Sequence, residues 1–253
     1  GAMTGGMAYE AMNNLGFHRT QQTIILNDNS KSISASVGAL SKYLSKIITN
    51  PTYNKIRSDI WDISGKIPVV SETIRKFLKK SEEGIKGFLT PGILFEELGI
   101  RYIGPIDGHD IDEMVKVFKS VKEIKTPVLL HVFTKKGIKS SKAEKDSIKY
   151  YSLSGAKKDN SVGVSYSEIV GKSLIKANPN NNNFKCITAA MDIGTGIKEF
   201  CEKYPDKYID VGIAESHAVS YASGLSTEGV VPVITIYSTF MQRAYDQIMH
   251  DIL

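Results

Sequence analysis

The chain has 253 residues, 42% hydrophobic, 23% charged and 9% aromatic, and 32 Lys and Arg against 27 Asp and Glu leave a net charge of +5. That size and apolar content support one large or two ordinary domains and exclude a disordered chain, while so mild a positive excess suits a small anionic ligand better than nucleic acid. Two cysteines, Cys186 and Cys201, are too few for a disulfide framework. With no membrane-length apolar stretch and no leader, the expectation is a soluble intracellular α/β protein that binds no nucleic acid and no membrane.

In chain order, residues 4–15 carry Met7, Ala8, Ala11, Met12 and Leu15 at helical spacing, and Gly16 is the stop signal. Thr23-Ile24-Ile25-Leu26 reads as a buried strand that runs into a polar turn at Asn27-Asp28-Asn29. Residues 34–98 read as mostly helical and irregular; they hold Trp61 and a lysine-rich stretch, 75–86, best taken as a solvated helix face. A strand at 101–103, a turn at 104–109, a helix over 111–121 and a strand over 127–133 follow. Periodicity then disappears between 135 and 164. A second set of elements follows: helix 165–177, polar loop 178–183, strand 185–189, helix 196–203, strand 208–211, helix 216–226, strand 231–236 and a terminal helical pattern. Helices and strands that alternate in this way predict parallel sheets flanked by helices. The terminal pattern reaches Leu253 with no cap or glycine, so a fragment of a longer protein is expected.

Three places stand out chemically. Gly1, Ala2, Gly5 and Gly6 open the first helix, whose early N–H groups can meet an anion. Asn27-Asp28-Asn29 ends a strand where ligands of open α/β sheets gather, and its oxygens suit Mg²⁺, although the same residues make ordinary turns. Most specific is 210–219, DVGIAESHAV, in which a strand delivers Glu215 to the mouth of a helix. Its neighbours Gly212, Ile213, Ala214 and Val219 can exclude water, a setting in which a carboxyl group holds or shares a proton. A glutamate there also complements the helix dipole, but the apolar flanks favour the chemical reading. Downstream, Tyr237 and Phe240 can flank a planar heterocycle and Arg243 can meet an anion; away from Glu215 such aromatics would read as core.

GAMTGGMAYEAMNNLG, ILNDN, GPIDGHD, TKKG, AEKD, DVGIAESHAVSYASGL and IYSTFMQRAYDQIMHD together resemble the 1-deoxy-D-xylulose-5-phosphate synthase family, thiamine-diphosphate enzymes of the transketolase superfamily. The resemblance covers nearly the whole chain and is weakest at 45–80 and 150–185. It implies parts of two thiamine-diphosphate-binding domains: residues 1–135 from a diphosphate- and Mg²⁺-binding domain, 136–164 as linker, and 165–253 as the start of a pyrimidine-binding domain. Gly1 resembles the last glycine of the family's Gly-Asp-Gly, with Ala2 beside it as a further cofactor-binding position, Asn29 resembles a metal ligand, and Lys31 a position that binds the metal through its main-chain carbonyl. Ile33 takes the place of an apolar support beneath the cofactor and Lys136 that of a lysine reaching the diphosphate. Glu215 matches the catalytic glutamate that hydrogen-bonds N1′ of the aminopyrimidine. Phe240 matches the ring stacked on that pyrimidine, and Tyr237 and Arg243 match catalytic residues at the substrate end.

The implied substrates are pyruvate and glyceraldehyde 3-phosphate, joined with decarboxylation to 1-deoxy-D-xylulose 5-phosphate, by a homodimer in a bacterial cytoplasm or a plastid-type organelle. Lys139-Ser140 departs from a usual Gly-Tyr pair, and Tyr151 stands where a histidine is usual, a group that titrates near neutrality as tyrosine does not. The alternatives are another transketolase-type enzyme and a non-catalytic module that keeps the fold.

Overall fold

The computed structural model describes residues 2–29, 38–40, 42–44, 92–145, 150, 163–177 and 183–253. Gly1, Lys31, Ile33, Trp61, Tyr151 and the stretch 75–86 lie outside them. The chain divides into two compact units: Glu10–Asn29 with Leu40–Lys135, and Gly1–Tyr9 with Ser30–Ala39 and Lys136–Leu253.

The first of these units holds a parallel sheet of β1 (Thr23–Asp28), β2 (Arg101–Asp107) and β3 (Val128–Phe133) in the order β1-β3-β2. The central strand is an almost unbroken apolar run, VLLHVF, buried from Val128 to Val132, as a strand covered on both faces must be. A helix at Ile111–Val121 covers one face. Asp110 caps it by accepting the N–H of Glu113 at 2.9 Å, and Val117 and Val121 pack with Ile106, Val128, Leu130 and Val132. Elsewhere in this unit Phe95, from a short helix at Ile93–Glu97, stacks on Tyr102 with ring centroids 5.8 Å apart.

Two expectations are corrected here. The strand at 23–26 is not buried and does not stop at Leu26. β1 continues through Asn27 and Asp28, which pair with Val132 and Phe133, and its exposure alternates, with Ile25 54% exposed. It pairs on one side only among the described residues, so alternate side chains face solvent. The turn expected at 104–109 is instead mostly strand, since β2 runs to Asp107. The Gly104–Pro105 pair sits where the register shifts between Ile103 and Ile106, a bulge on an outer strand. Proline lacks the N–H that a regular ladder needs, and a bulge at an edge is where it is tolerated.

The other unit holds β4 (Phe184–Thr188), β5 (Tyr208–Asp210) and β6 (Val231–Thr235), parallel in the order β5-β4-β6. Alternation along β4 divides the core. Phe184 and Cys186 face one cluster with Ile197 and Phe200, while Ile187 faces Ala218 and Ala222 of the helix Glu215–Thr227. Burial pushes the Cys186 thiol up to about 11 and that of the partly buried Cys201 up to about 12; neither is in a disulfide. The stretch after Lys135, expected to lack periodicity, contains a short helix, Ser141–Lys145. Among the described residues no helix is long and apolar enough to cross a membrane.

Candidate active site at the carboxyl ends of the second sheet

All three strands of the β5-β4-β6 sheet end at one cavity of about 430 Å³. Ala189, Ala190 and Met191 follow β4, Ile213 and Glu215 follow β5, and Thr239, Phe240, Gln242 and Arg243 follow β6. The carboxyl end of a parallel sheet whose connections depart to both sides of a central strand is where such folds bind ligands. Glu215 is the first residue of its helix and only 3% exposed. Its Oε2 accepts from Arg243 Nη1 at 3.1 Å. Burying an ionised carboxylate is costly unless it is paired, and the arginine supplies that pairing while keeping 40% of its own side chain exposed.

Glu215 has no capping side chain before it: Ala214 stands at the N-cap with φ −148° and makes no side-chain cap hydrogen bond. The approach to it is fixed from elsewhere. Asp210 Oδ1 accepts the N–H groups of both Ala190 and Gly212 at 2.9 Å, which ties the loop after β4 to the loop after β5. Ala190 is held at φ +59°, a left-handed conformation that a non-glycine residue keeps only when its surroundings enforce it. Thr4 Oγ1 accepts from the Ile213 N–H at 3.1 Å and donates to the Ile213 carbonyl at 3.4 Å. Next to it, a Cβ on Gly5 would come 2.6 Å from Arg243 Nη2, so the absence of a side chain makes room for the guanidinium.

After β6 the backbone winds as α-helix over Ser238–Met241, 3₁₀ over Gln242–Ala244, α again over Tyr245–Gln247, and π over Ile248–Ile252. The Arg243 carbonyl accepts from the hydroxyl of Ser216, one residue beyond Glu215, at 2.8 Å. Tyr237 does not line the cavity. Its ring lies 5.8 Å from that of Phe240, and its hydroxyl fills the space in which a Cβ on Gly194 would sit. That close approach explains the glycine at 194.

The structure therefore brings Glu215, Phe240 and Arg243 together, with Tyr237 one ring away. Of the remaining candidates, the described ones, Ala2, Asn29 and Lys136, do not line this cavity. Ala2 is exposed and opens a 3₁₀ turn, Ala2–Thr4, and its carbonyl accepts the Gly5 N–H. Lys136 is exposed at a turn, and Asn29 directly follows β1. Gly1, Lys31 and Ile33 are outside the described residues. The residues that hold the site in shape, Thr4, Gly5, Asp210, Gly194 and Ser216, were not singled out for that role from sequence. Asp210 carried a signal, an acidic residue at a strand end followed by glycine. Thr4 carried none, because its partner is 209 positions away.

The cavity fits a flat heteroaromatic ring. Ile213, Met191 and the Phe240 ring offer apolar surface, and one buried carboxylate offers a directional partner for a ring nitrogen. At the end of β1, by contrast, the fit to a divalent cation is incomplete: no group of three His, Cys, Asp or Glu able to hold a metal exists among the described residues. The neighbouring oxygens are already engaged. Asn27 Oδ1 accepts from Thr134 Oγ1 at 2.7 Å, and Asp28 Oδ2 lies 3.3 Å from His131 Nε2.

Residues 162–252 match the model for the transketolase pyrimidine-binding domain. Residues 1–134 match the model for 1-deoxy-D-xylulose-5-phosphate synthase, and the chain belongs to that family. Proteins named 1-deoxy-D-xylulose-5-phosphate synthase are similar throughout. That of Alkaliphilus oremlandii is 46% identical over 99% of this chain and 41% of its own length. That of Clostridium tetani is 46% identical over 100% of this chain and 42% of its own. That of Caldanaerobacter subterraneus is 45% identical over 100% and 41%. The chain thus spans about two-fifths of the length of the curated relatives it matches.

Proposed function

We propose that this chain is the part of a 1-deoxy-D-xylulose-5-phosphate synthase that carries the aminopyrimidine site, and that the whole protein is a transferase of two-carbon units. It joins pyruvate, with loss of carbon dioxide, to glyceraldehyde 3-phosphate. The observation that carries this reading is the buried Glu215 carboxylate facing a cavity beside Phe240, in a chain of this family. Thiamine diphosphate, when bound, supplies the carbon nucleophile. With that cofactor bound, Glu215 would hold a proton at a nitrogen of its pyrimidine ring, Phe240 would offer its face to the ring, and Ile213 and Met191 would keep water away. The Arg243 guanidinium, which reaches from Glu215 to solvent, suits the carboxylate or phosphate of a substrate. Tyr237, whose ring lies 5.8 Å from that of Phe240, is assigned to the substrate end on the family resemblance.

Lys136 is assigned to the diphosphate and Asn29 to Mg²⁺, with Lys31 contributing its main-chain carbonyl. Gly1 and Ala2 are placed beside the diphosphate and Ile33 beneath the cofactor. The same reading includes the division at 1–135, 136–164 and 165–253 and a homodimer. The named relatives are bacterial, which supports a cytoplasmic setting.

Titration calorimetry of thiamine diphosphate with Mg²⁺ on the full-length protein tests this. Saturable binding is expected, along with loss of turnover in Glu215→Gln without loss of diphosphate affinity. No binding at millimolar cofactor would refute the reading.

A further inference from the structure

We infer that Thr4 is a positioning residue for Glu215, a role that deepens the reading above and rests on it. Glu215 begins its helix with no side-chain cap, so its first turn is held by bonds to other elements: the Ser216 hydroxyl and the Glu215 carboxylate both reach Arg243, and the residues ahead of Glu215 are anchored separately. The three residues ahead of it are held by two outside anchors and one backbone bond. Asp210 takes the N–H of Gly212, the Gly212 carbonyl accepts the N–H of Ala214 at 2.8 Å, and Thr4 takes both the N–H and the carbonyl of Ile213. A single hydroxyl that both donates to and accepts from one peptide fixes that residue in two directions, so it sets orientation as well as distance.

The contact is local and close. A Cβ on Gly212 would lie 3.5 Å from the Thr4 side chain, and Gly5, the next residue, leaves the space used by the guanidinium that pairs with Glu215. Thr4 therefore holds the main chain ahead of the carboxylate, and Gly5 leaves the room that its ionic partner occupies. Catalytic groups must be held to fractions of an ångström, and a displacement near 1 Å from a change outside the chemistry can cost roughly a hundredfold in rate. Thr4→Val keeps the shape of the side chain and removes both bonds. Thr4→Ser keeps the hydroxyl.

The experiment uses the full-length protein with selectively ¹³C-labelled glutamate carboxyls, in which the Glu215 signal is assigned by its loss in Glu215→Gln. In cofactor-free Thr4→Val the Glu215 carboxyl resonance is expected to move, and kcat to fall roughly ten- to a hundredfold. Thermal midpoint and thiamine diphosphate affinity should stay near wild type, and Thr4→Ser should restore both the resonance and the rate. A resonance and kcat unchanged in Thr4→Val would overturn the positioning role. So would a joint loss of midpoint, affinity and rate that serine does not rescue. Full turnover in Glu215→Gln would instead bring down the reading of Glu215, whatever Thr4→Val does.

Discussion

Both three-stranded sheets place an ionisable side chain out of water, and they do so to different ends. His131, in the middle of β3, is 0% exposed with both ring nitrogens in partnership: Nδ1 lies 2.7 Å from the Tyr102 hydroxyl and Nε2 lies 3.3 Å from Asp28 Oδ2. It closes a chain of hydrogen bonds across β2, β3 and β1 and faces no cavity among those described. Glu215 lies beyond the end of β5, where it has one arginine and a cavity beside it. A buried polar group whose bonds are made within the sheet is a structural fixture, whereas one aimed at space is available to a ligand.

The largest effect that tests the contrast is on turnover. Glu215→Gln should lower kcat roughly a hundred- to ten-thousandfold, as the loss of a proton-handling group does, with little change in unfolding midpoint. A kcat within tenfold of wild type, measured by steady-state kinetics on the full-length protein, would break the comparison. His131→Leu should do the reverse. It removes both bonds from a buried chain and should cost about 3 kcal/mol in denaturant unfolding. A neutral result would mean that the histidine is not the fixture described.

A smaller effect is expected of Gly5→Ala. The new methyl displaces the guanidinium end of Arg243, a flexible group, so stability should hold while kcat drops by less than about tenfold. An unchanged rate would detach Gly5 from the site. The smallest effect concerns Cys186. Its thiol, raised to about 11 by burial, is protonated below that pH, so at pH 8 roughly one thiol in a thousand is ionised. Iodoacetamide should label it only on unfolding, as read by mass spectrometry, and rapid labelling of the native protein would contradict its burial.

Much of this was legible from residues alone. Alternation of helical and strand patterns gave both parallel sheets, and the apolar flanks of Glu215 marked it as the buried acid at a helix mouth. What escaped has identifiable causes. Asn27 and Asp28 read as turn residues by composition, but their ladder to β3 and their bonds to Thr134 and His131 outweigh that propensity. Pro105 reads as a turn, yet a bulge accommodates it in β2. His131 stood in plain view as a lone polar residue in VLLHVF, though its partners come from strands elsewhere in the sequence. Thr4, Gly5 and Gly194 depend on three-dimensional proximity that no local pattern encodes.

The tightened winding at Gln242–Ala244 has one more consequence. In an α-helix, residues three apart fan out by about 60°, whereas in a 3₁₀ turn they eclipse. Phe240 and Arg243, three apart and entering that turn, are thereby drawn toward a single azimuth, and both border the same hollow. A relaxed α-helical course would splay the aromatic plate and the cationic arm apart. The local pitch of the backbone thus works as an alignment jig, bringing a stacking surface and a charge into line without enlisting any additional side chain.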